Sequence, residues 1–265
     1  MSNIHPLAFV SPDAQLGENV EVGPYAYIDK DVVIGDNCKI HPHAVIYSYV
    51  GMGHDCEVFP GAVVGAIPQD LKFDGEVTYV EIGDRVTIRE CATINRGTKA
   101  SGKGTTRVGS DTLVMSYAHI AHDCQIGNHC IIVSYAGLAG ETDLEDWAVM
   151  GGKSGSHQFS KVGTHAFVAA YAKLTKDVPP YVLAGREPIA FEGVNRVGLL
   201  RRGFTEEQVN EIKDIYDTLY FKGMNVSQAV AFIEANFPAT VHRDTILRFI
   251  RESKRGIISK PRPAR

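Results

Sequence analysis

The sequence predicts a mainly β fold, a parallel β-helix of very short strands followed by a small α-helical C-terminal domain. Three observations predict it. Aliphatic residues recur every sixth position from Ile4 onward, a small or β-branched residue stands four places after nearly every one of them, and the six-residue period stops at Pro179-Pro180, where a helical pattern begins.

The first run of the period is Ile4, Val10, Leu16, Val22, Ile28, Ile34, Ile40, Ile46, Met52, Val58 and Val64. After an interruption it returns in phase at Ile82, Ile88 and Ile94. After a second, phase-shifting interruption it continues as Val108, Val114, Ile120, Ile126, Ile132, Leu138, Leu144 and Met150, and closes with Ser156, Val162, Val168 and Leu174. A helical period of 3.6 cannot give a strict six, whereas three six-residue edges closing one triangular coil can. Coils stacked at the spacing of hydrogen-bonded strands, about 4.8 Å, make a prism of roughly ten coils and about 45 Å in height. The pattern resembles the hexapeptide repeat of left-handed parallel β-helices, and that resemblance, not the period, supplies the handedness. The interruptions, 66–79 and 98–107, read as loops leaving the coil, the second flexible because it is rich in Gly, Lys, Ser and Thr.

Beyond the prolines, Thr205 with Gln208 forms the sequence of a capping box, Val209, Ile212, Ile215, Tyr216, Leu219 and Tyr220 make one apolar face, and Gly223 ends the helix. Segments 227–237 and 243–253 give two more short amphipathic helices. We therefore divide the chain into a β-helical domain, 1–188, and a helical domain, 189–265.

Of the 265 residues, 44% are hydrophobic, and the net charge is -4, which argues against a general nucleic-acid binder. No apolar run reaches membrane-spanning length and no signal peptide is visible at the N-terminus, so a cytoplasmic protein without stable membrane insertion is expected. The five cysteines form no CxxC pair. Cys38, Cys56, Cys124 and Cys130 fall in the small-residue slot of the repeat, where a cysteine acts as a small buried hydrophobe. From Val241 onward, eight Lys or Arg face only Asp244 and Glu252.

Eighteen-residue coils turn sequence spacing into neighbourhood. His122, Gly140 and Gln158 each follow their anchor by two places at intervals of 18, so they stack at one corner of the prism. One rung beside this column breaks the rule, with Ser156 in place of an aliphatic anchor.

The segments His119-Ile120-Ala121-His122-Asp123-Cys124, Gln69-Asp70-Leu71-Lys72, Leu138-Ala139-Gly140, His157-Gln158-Phe159, Asp177-Val178-Pro179-Pro180-Tyr181, Gly193-Val194-Asn195 and Arg201-Arg202-Gly203-Phe204 together resemble those of the UDP-N-acetylglucosamine O-acyltransferases of lipid A biosynthesis, in the same order along the whole chain. The resemblance implies transfer of a 3-hydroxyacyl chain from acyl carrier protein to the sugar 3-hydroxyl, without cofactor or metal, in a homotrimer. It assigns His122 as general base, Asp123 as its orienting carboxylate and the Gly140 N–H as oxyanion donor. Gln69, Asp70, Lys72, His119, His157, Gln158, Asn195, Arg201 and Arg202 would line the nucleotide-sugar site, and Ala170 would set the acyl length. Glu141 stands where members of this family often have His. The resemblance also implies an acidic carrier protein as partner, with Arg243, Arg248, Arg251, Lys254 and Arg255 as a complementary patch.

Other readings remain. The pathway's later N-acyltransferase shares the repeat and the base. A γ-class carbonic anhydrase shares the fold, but His119, His122 and His129 occupy different coil positions and make no convincing zinc set. Gly152-Lys153-Ser154 imitates the end of a phosphate loop, but the first glycine such a loop needs is replaced by Trp147.

Overall fold

A computed structural model describes residues 2–260. Arg262 and Arg265, two of the eight basic residues of the C-terminal stretch, lie outside the described residues.

The aliphatic anchors sit at or near the ends of strands of two to four residues that stack into three parallel sheets, the faces of a left-handed triangular prism. Among the described residues the first face has 11 strands, the second 9 and the third 8. Regular coils pair residue for residue at 18, as Asn3 with Glu21 and His119 with Gly137. The anchors point inward, and Ile28, Ile34, Ile40, Ile88, Ile120, Ile132 and Leu138 are fully buried. Each such side chain stabilises the prism by about 1.5–3 kcal/mol relative to exposure. The four slot cysteines are buried and unpaired, and burial pushes the Cys124 and Cys130 thiols up to about 12. They are packing residues.

Between strands the chain turns through a corner whose third residue after the anchor adopts φ > 0, from Asn19 (56°) to Tyr171 (61°). Asp, Asn and His tolerate that region better than branched residues do, yet Tyr117, Tyr135 and Trp147 also hold it. The stacked coils on either side fix the turn whatever side chain it carries.

The interruptions are smaller than the sequence suggests. Strands Val63–Ala66 and Tyr79–Ile82 take up both ends of the first, and strand Thr105–Val108 takes up the end of the second. The second is not a free loop either. Lys99–Ser101 forms a 3-10 turn, and Thr98 and Thr106 are buried. Polar groups that pair with buried partners fix the backbone that composition marks as flexible.

After the last coil the chain makes an antiparallel hairpin, Val182–Gly185 with Ala190–Val194, which extends the first face before any helix starts. Helix α1 is Arg196–Arg201, which the apolar pattern did not indicate. Helix α2, Glu206–Phe221, has both halves of the expected capping box, and Gly223 follows its end at φ 77°. Helices α3, Val226–Asn236, and α4, Val241–Glu252, match the remaining two segments. Tyr216 donates to the Pro180 carbonyl at 2.7 Å and Tyr220 to that of Ile258 at 2.9 Å, so the helices are fastened to the end of the prism.

Candidate active site

Both interruptions leave the prism from the second face and return on the third. Corner residue His122, between His119–Ile120 and Gln125–Ile126, lies at that same corner, and Gly140 and Gln158 follow one and two coils further along. The predicted column is therefore present, with the two irregular loops beside it.

Asp123 holds the His122 imidazole, the distance from Nδ1 to Oδ2 being 2.8 Å. With Nδ1–H donated to the carboxylate, Nε2 is left as an acceptor. That nitrogen faces Gly140 closely enough that a Cβ on Gly140 would stand 2.3 Å from it. A side chain there would displace the imidazole, so glycine is a steric requirement. The hydrogen bond from His122 to Asp123 raises the imidazole pKa above its ordinary value. Burial opposes it, and the charges of Asp123, Asp70 and Glu141 add to it.

Asp123 is fully buried at φ 60° and depends on residues that sequence reasoning missed. Thr98 donates its N–H to both carboxylate oxygens, at 3.1 and 3.0 Å, and its hydroxyl to Oδ2 at 2.7 Å. Thr106 Oγ1 accepts the Asp123 N–H at 2.8 Å. Burial raises the Asp123 pKa, but the bonds from His122, Thr98 and Ser101 outweigh it and keep the carboxylate below its usual range. No period pointed to Thr98, since it lies in the inserted loop.

The first loop places Asp70 Oδ2 3.6 Å from His122 Nε2. On the same loop Gln69 and Lys72 are exposed, and the Lys72 N–H caps Asp70 at 3.0 Å. His119 is half-buried beneath, its Nδ1 2.7 Å from Thr93 Oγ1. Burial first, and the neighbouring His122 second, lower its pKa. His157 and Gln158 are exposed at the far end of the column.

Four predicted residues are not beside His122 in this chain. Asn195 and Arg201 line a cavity of about 600 Å³ with Ile131, Val149, Phe167 and Leu183, on the first face, which is opposite the His122 corner. Asn195 also caps α1 through Gly198 N–H and donates to the His165 carbonyl at 3.0 Å. Arg202 lies 5.1 Å over Trp147 and reaches His165 Nδ1 at 3.2 Å, at the corner between the third and first faces. There burial, aided by the Arg202 charge, pushes the His165 pKa down to about 4. Ala170 is exposed at the remaining corner, between the first and second faces.

The basic C-terminal patch is also altered. Arg243 binds Asp244 and the Phe237 carbonyl, Arg248 binds Glu145 and Glu252, Arg251 binds Glu234, and Arg255 binds the carbonyls of Gln158 and Thr175. Acidic residues distant in sequence pair with Arg248 and Arg251, and the adjacent Asp244 pairs with Arg243, so the field of the patch is weaker than its composition. Among the described residues no group of three or more His, Cys, Asp or Glu is placed to hold a metal, and no helix is long and apolar enough to cross a membrane.

Residues 177–258 match the family described as UDP-N-acetylglucosamine O-acyltransferase, domain 2, and residues 13–48 and 105–140 match the bacterial transferase hexapeptide family. The chain is 48% identical over 262 residues to the acyl-(acyl-carrier-protein)-UDP-N-acetylglucosamine O-acyltransferase of Janthinobacterium sp. (strain Marseille), covering 97% of this chain and 100% of the relative. The protein of that name from Thiobacillus denitrificans is 46% identical with the same coverage. In three dimensions the chain superposes on the crystal structure of a UDP-N-acetylglucosamine acyltransferase from Bacteroides fragilis with a TM-score of 0.93 at 47% identity, covering 96% of this chain and 99% of the other. Relatives at this identity, aligned from end to end on the same prism and the same helical domain, place the chain in the UDP-N-acetylglucosamine O-acyltransferase family.

Proposed function

We propose that the protein transfers a 3-hydroxyacyl chain from acyl carrier protein to the 3-hydroxyl of UDP-N-acetylglucosamine, the first step of lipid A biosynthesis, in the cytoplasm. The observation that carries the chemistry is the His122 imidazole, tied at Nδ1 to a buried carboxylate and open at Nε2 toward a glycine. Nε2 takes the proton of the 3-hydroxyl as its oxygen attacks the thioester carbon. The Gly140 N–H receives the oxyanion, an interaction worth about 3 kcal/mol. Collapse of the tetrahedral adduct expels the carrier thiolate, which takes the proton back from the imidazolium. No step calls for a cofactor. Mass spectrometry of the product formed from UDP-N-acetylglucosamine and a mixed pool of 3-hydroxyacyl carrier proteins tests the reaction. An acylated nucleotide sugar is expected, and its absence would overturn the assignment.

In this reading Asp70, His119 and Gln158 contact the sugar nucleotide with Gln69, Lys72 and His157 nearby, and Asn195, Arg201 and Arg202 act on it from a second subunit. What supports a cyclic homotrimer is the placement of the His122 corner and the Arg201 cavity on opposite sides of one prism, so that three copies complete three equivalent sites. The family resemblance assigns Ala170, exposed on another corner, to the far end of the acyl channel.

Two expected outcomes follow from these roles. Activity should rise with pH through a midpoint above the ordinary imidazole value of about 6.5, because only neutral His122 accepts a proton. Asp123→Asn should move that midpoint down while lowering the plateau, as read from kcat against pH. The stability linkage has the opposite sense. The ion pair's contribution is fully present below the unfolded histidine pKa and fades as pH rises through the raised folded value. For the acyl chain, Ala170→Met should shift preference toward shorter donors by several carbons. A methylene that fits gains about 0.8 kcal/mol and one that meets packed atoms loses more. Competition among carrier proteins of graded chain length, read beside a melting curve, checks this, and an unshifted profile in a stable variant removes Ala170 from length selection.

A further inference from the structure

The rung that breaks the repeat is next to Gly140. In regular coils the N–H just after each anchor donates to the anchor carbonyl of the next coil, as Ala121 to Leu138 and His157 to Leu174, both at 3.0 Å. Ala139 departs from this pattern. Its N–H goes to the side chain of Ser156, at 3.0 Å from Oγ. Ser156 Oγ is 2.7 Å from Thr142 Oγ1, and Thr142 Oγ1 donates to the Ala139 carbonyl at 2.7 Å. The directions are determined. An amide N–H only donates and a carbonyl only accepts, so the Ser156 hydroxyl receives from Ala139 and gives to Thr142, which gives back to Ala139. The four groups close a ring in which every bond runs the same way round, an arrangement in which each bond polarises the next. Cys124 Sγ adds a second donor to the same carbonyl at 3.3 Å.

The carbonyl so held belongs to the peptide plane that carries the Gly140 N–H. In a trans peptide the C=O and N–H bonds point in opposite directions. Anchoring Ala139 O inward on the buried Thr142 therefore aims the Gly140 N–H outward, on the side where the His122 ring lies against the glycine. We propose that Thr142 and Ser156 are positioning residues that hold and polarise the Ala139–Gly140 peptide as oxyanion donor. This rests on the acyl-transfer reading above. It gives a reason for a polar anchor in a stack otherwise aliphatic, since a valine at 156 would return the Ala139 N–H to the ladder and release the plane.

Thr142→Val, nearly isosteric, and Ser156→Ala open the ring at different points. Each should lower kcat about 10- to 100-fold, part of what loss of a whole oxyanion donor causes. KM for UDP-N-acetylglucosamine should stay within about twofold and the pH midpoint should stay in place, because neither the sugar site nor the His122–Asp123 pair is touched. Thr142→Ser, which restores the hydroxyl, should recover most of the rate. A folded variant of either kind with wild-type kcat would overturn the proposal, as would an effect carried by KM or by a displaced midpoint. Loss of the fold in both would assign the ring to coil stability and overturn it equally. His122→Ala is measured in the same preparations. Should it retain full activity, the acyl-transfer reading itself falls, whereas an inactive His122→Ala beside an unaffected Thr142→Val defeats the ring alone.

Discussion

Replacing His122 by alanine should lower turnover by two or more orders of magnitude, in line with the roughly 10²- to 10⁴-fold contribution of a positioned general base. The variant should keep its fold, because the imidazole stands at a corner outside the aliphatic stack and the Ile120 and Ile126 anchors on either side are untouched. Two features make the loss large. Nε2 has no alternative of matched geometry, as Asp70 lies 3.6 Å beyond it and His119 is engaged with Thr93. The carboxylate of Asp123 would also lose the cation it stabilises and keep only the bonds from Thr98 and Ser101. Turnover under saturating carrier protein, measured with a melting curve, decides it. Near-normal turnover in a folded variant would remove His122 from the mechanism.

The second large effect is a rescue. Arg201→Ala should depress activity by removing a guanidinium that can pair with a diphosphate, and His122→Ala depresses it independently. If each site takes His122 from one subunit and Arg201 from the next, random co-assembly of the two variants regenerates intact pairs at about one site in four, as closed threefold symmetry requires. The mixture, refolded or co-expressed, should therefore show about a quarter of wild-type activity although neither parent is active. Activity no greater than the sum of the separate variants would place both residues in one subunit's site and defeat the shared-site trimer.

The prism was legible because its signal is redundant. Each anchor is supported by another six residues on, and the 18-residue stack converts His122, Gly140 and Gln158 from a spacing into a corner without tertiary guesswork. The helices α2 to α4 carried caps and apolar faces of ordinary kind. What was hidden had no period. Helix α1 is one short turn and a half whose start depends on Asn195 bonding across to His165, and the hairpin before it borrows its edge from the prism. Thr98 reaches Asp123 only because the inserted segment folds back on the corner, and composition there reads as disorder. The arginines of α4 look like a free cationic patch until Glu145 and Glu234 are brought opposite them. Sequence gives the charge of such groups but not their partners.

The triangular winding also sets rules for how this chain can change length. Every residue added within a strand-and-corner unit rotates all later coils about the prism axis, so a gain or loss of six residues carries the C-terminal part round by one face, and only eighteen return it to its old bearing. A shift of one face between Gly137–Leu138 and Val182–Gly185 would separate His122 from the cavity that three copies are proposed to bring to it, with every coil still well packed. Segments 67–78 and 96–104 escape this arithmetic, because they leave and re-enter the prism at one corner without advancing the winding. Length is thus tolerated beside His122 without turning the later coils, so contacts at that corner can change while the angular placement of the rest of the prism stays constant.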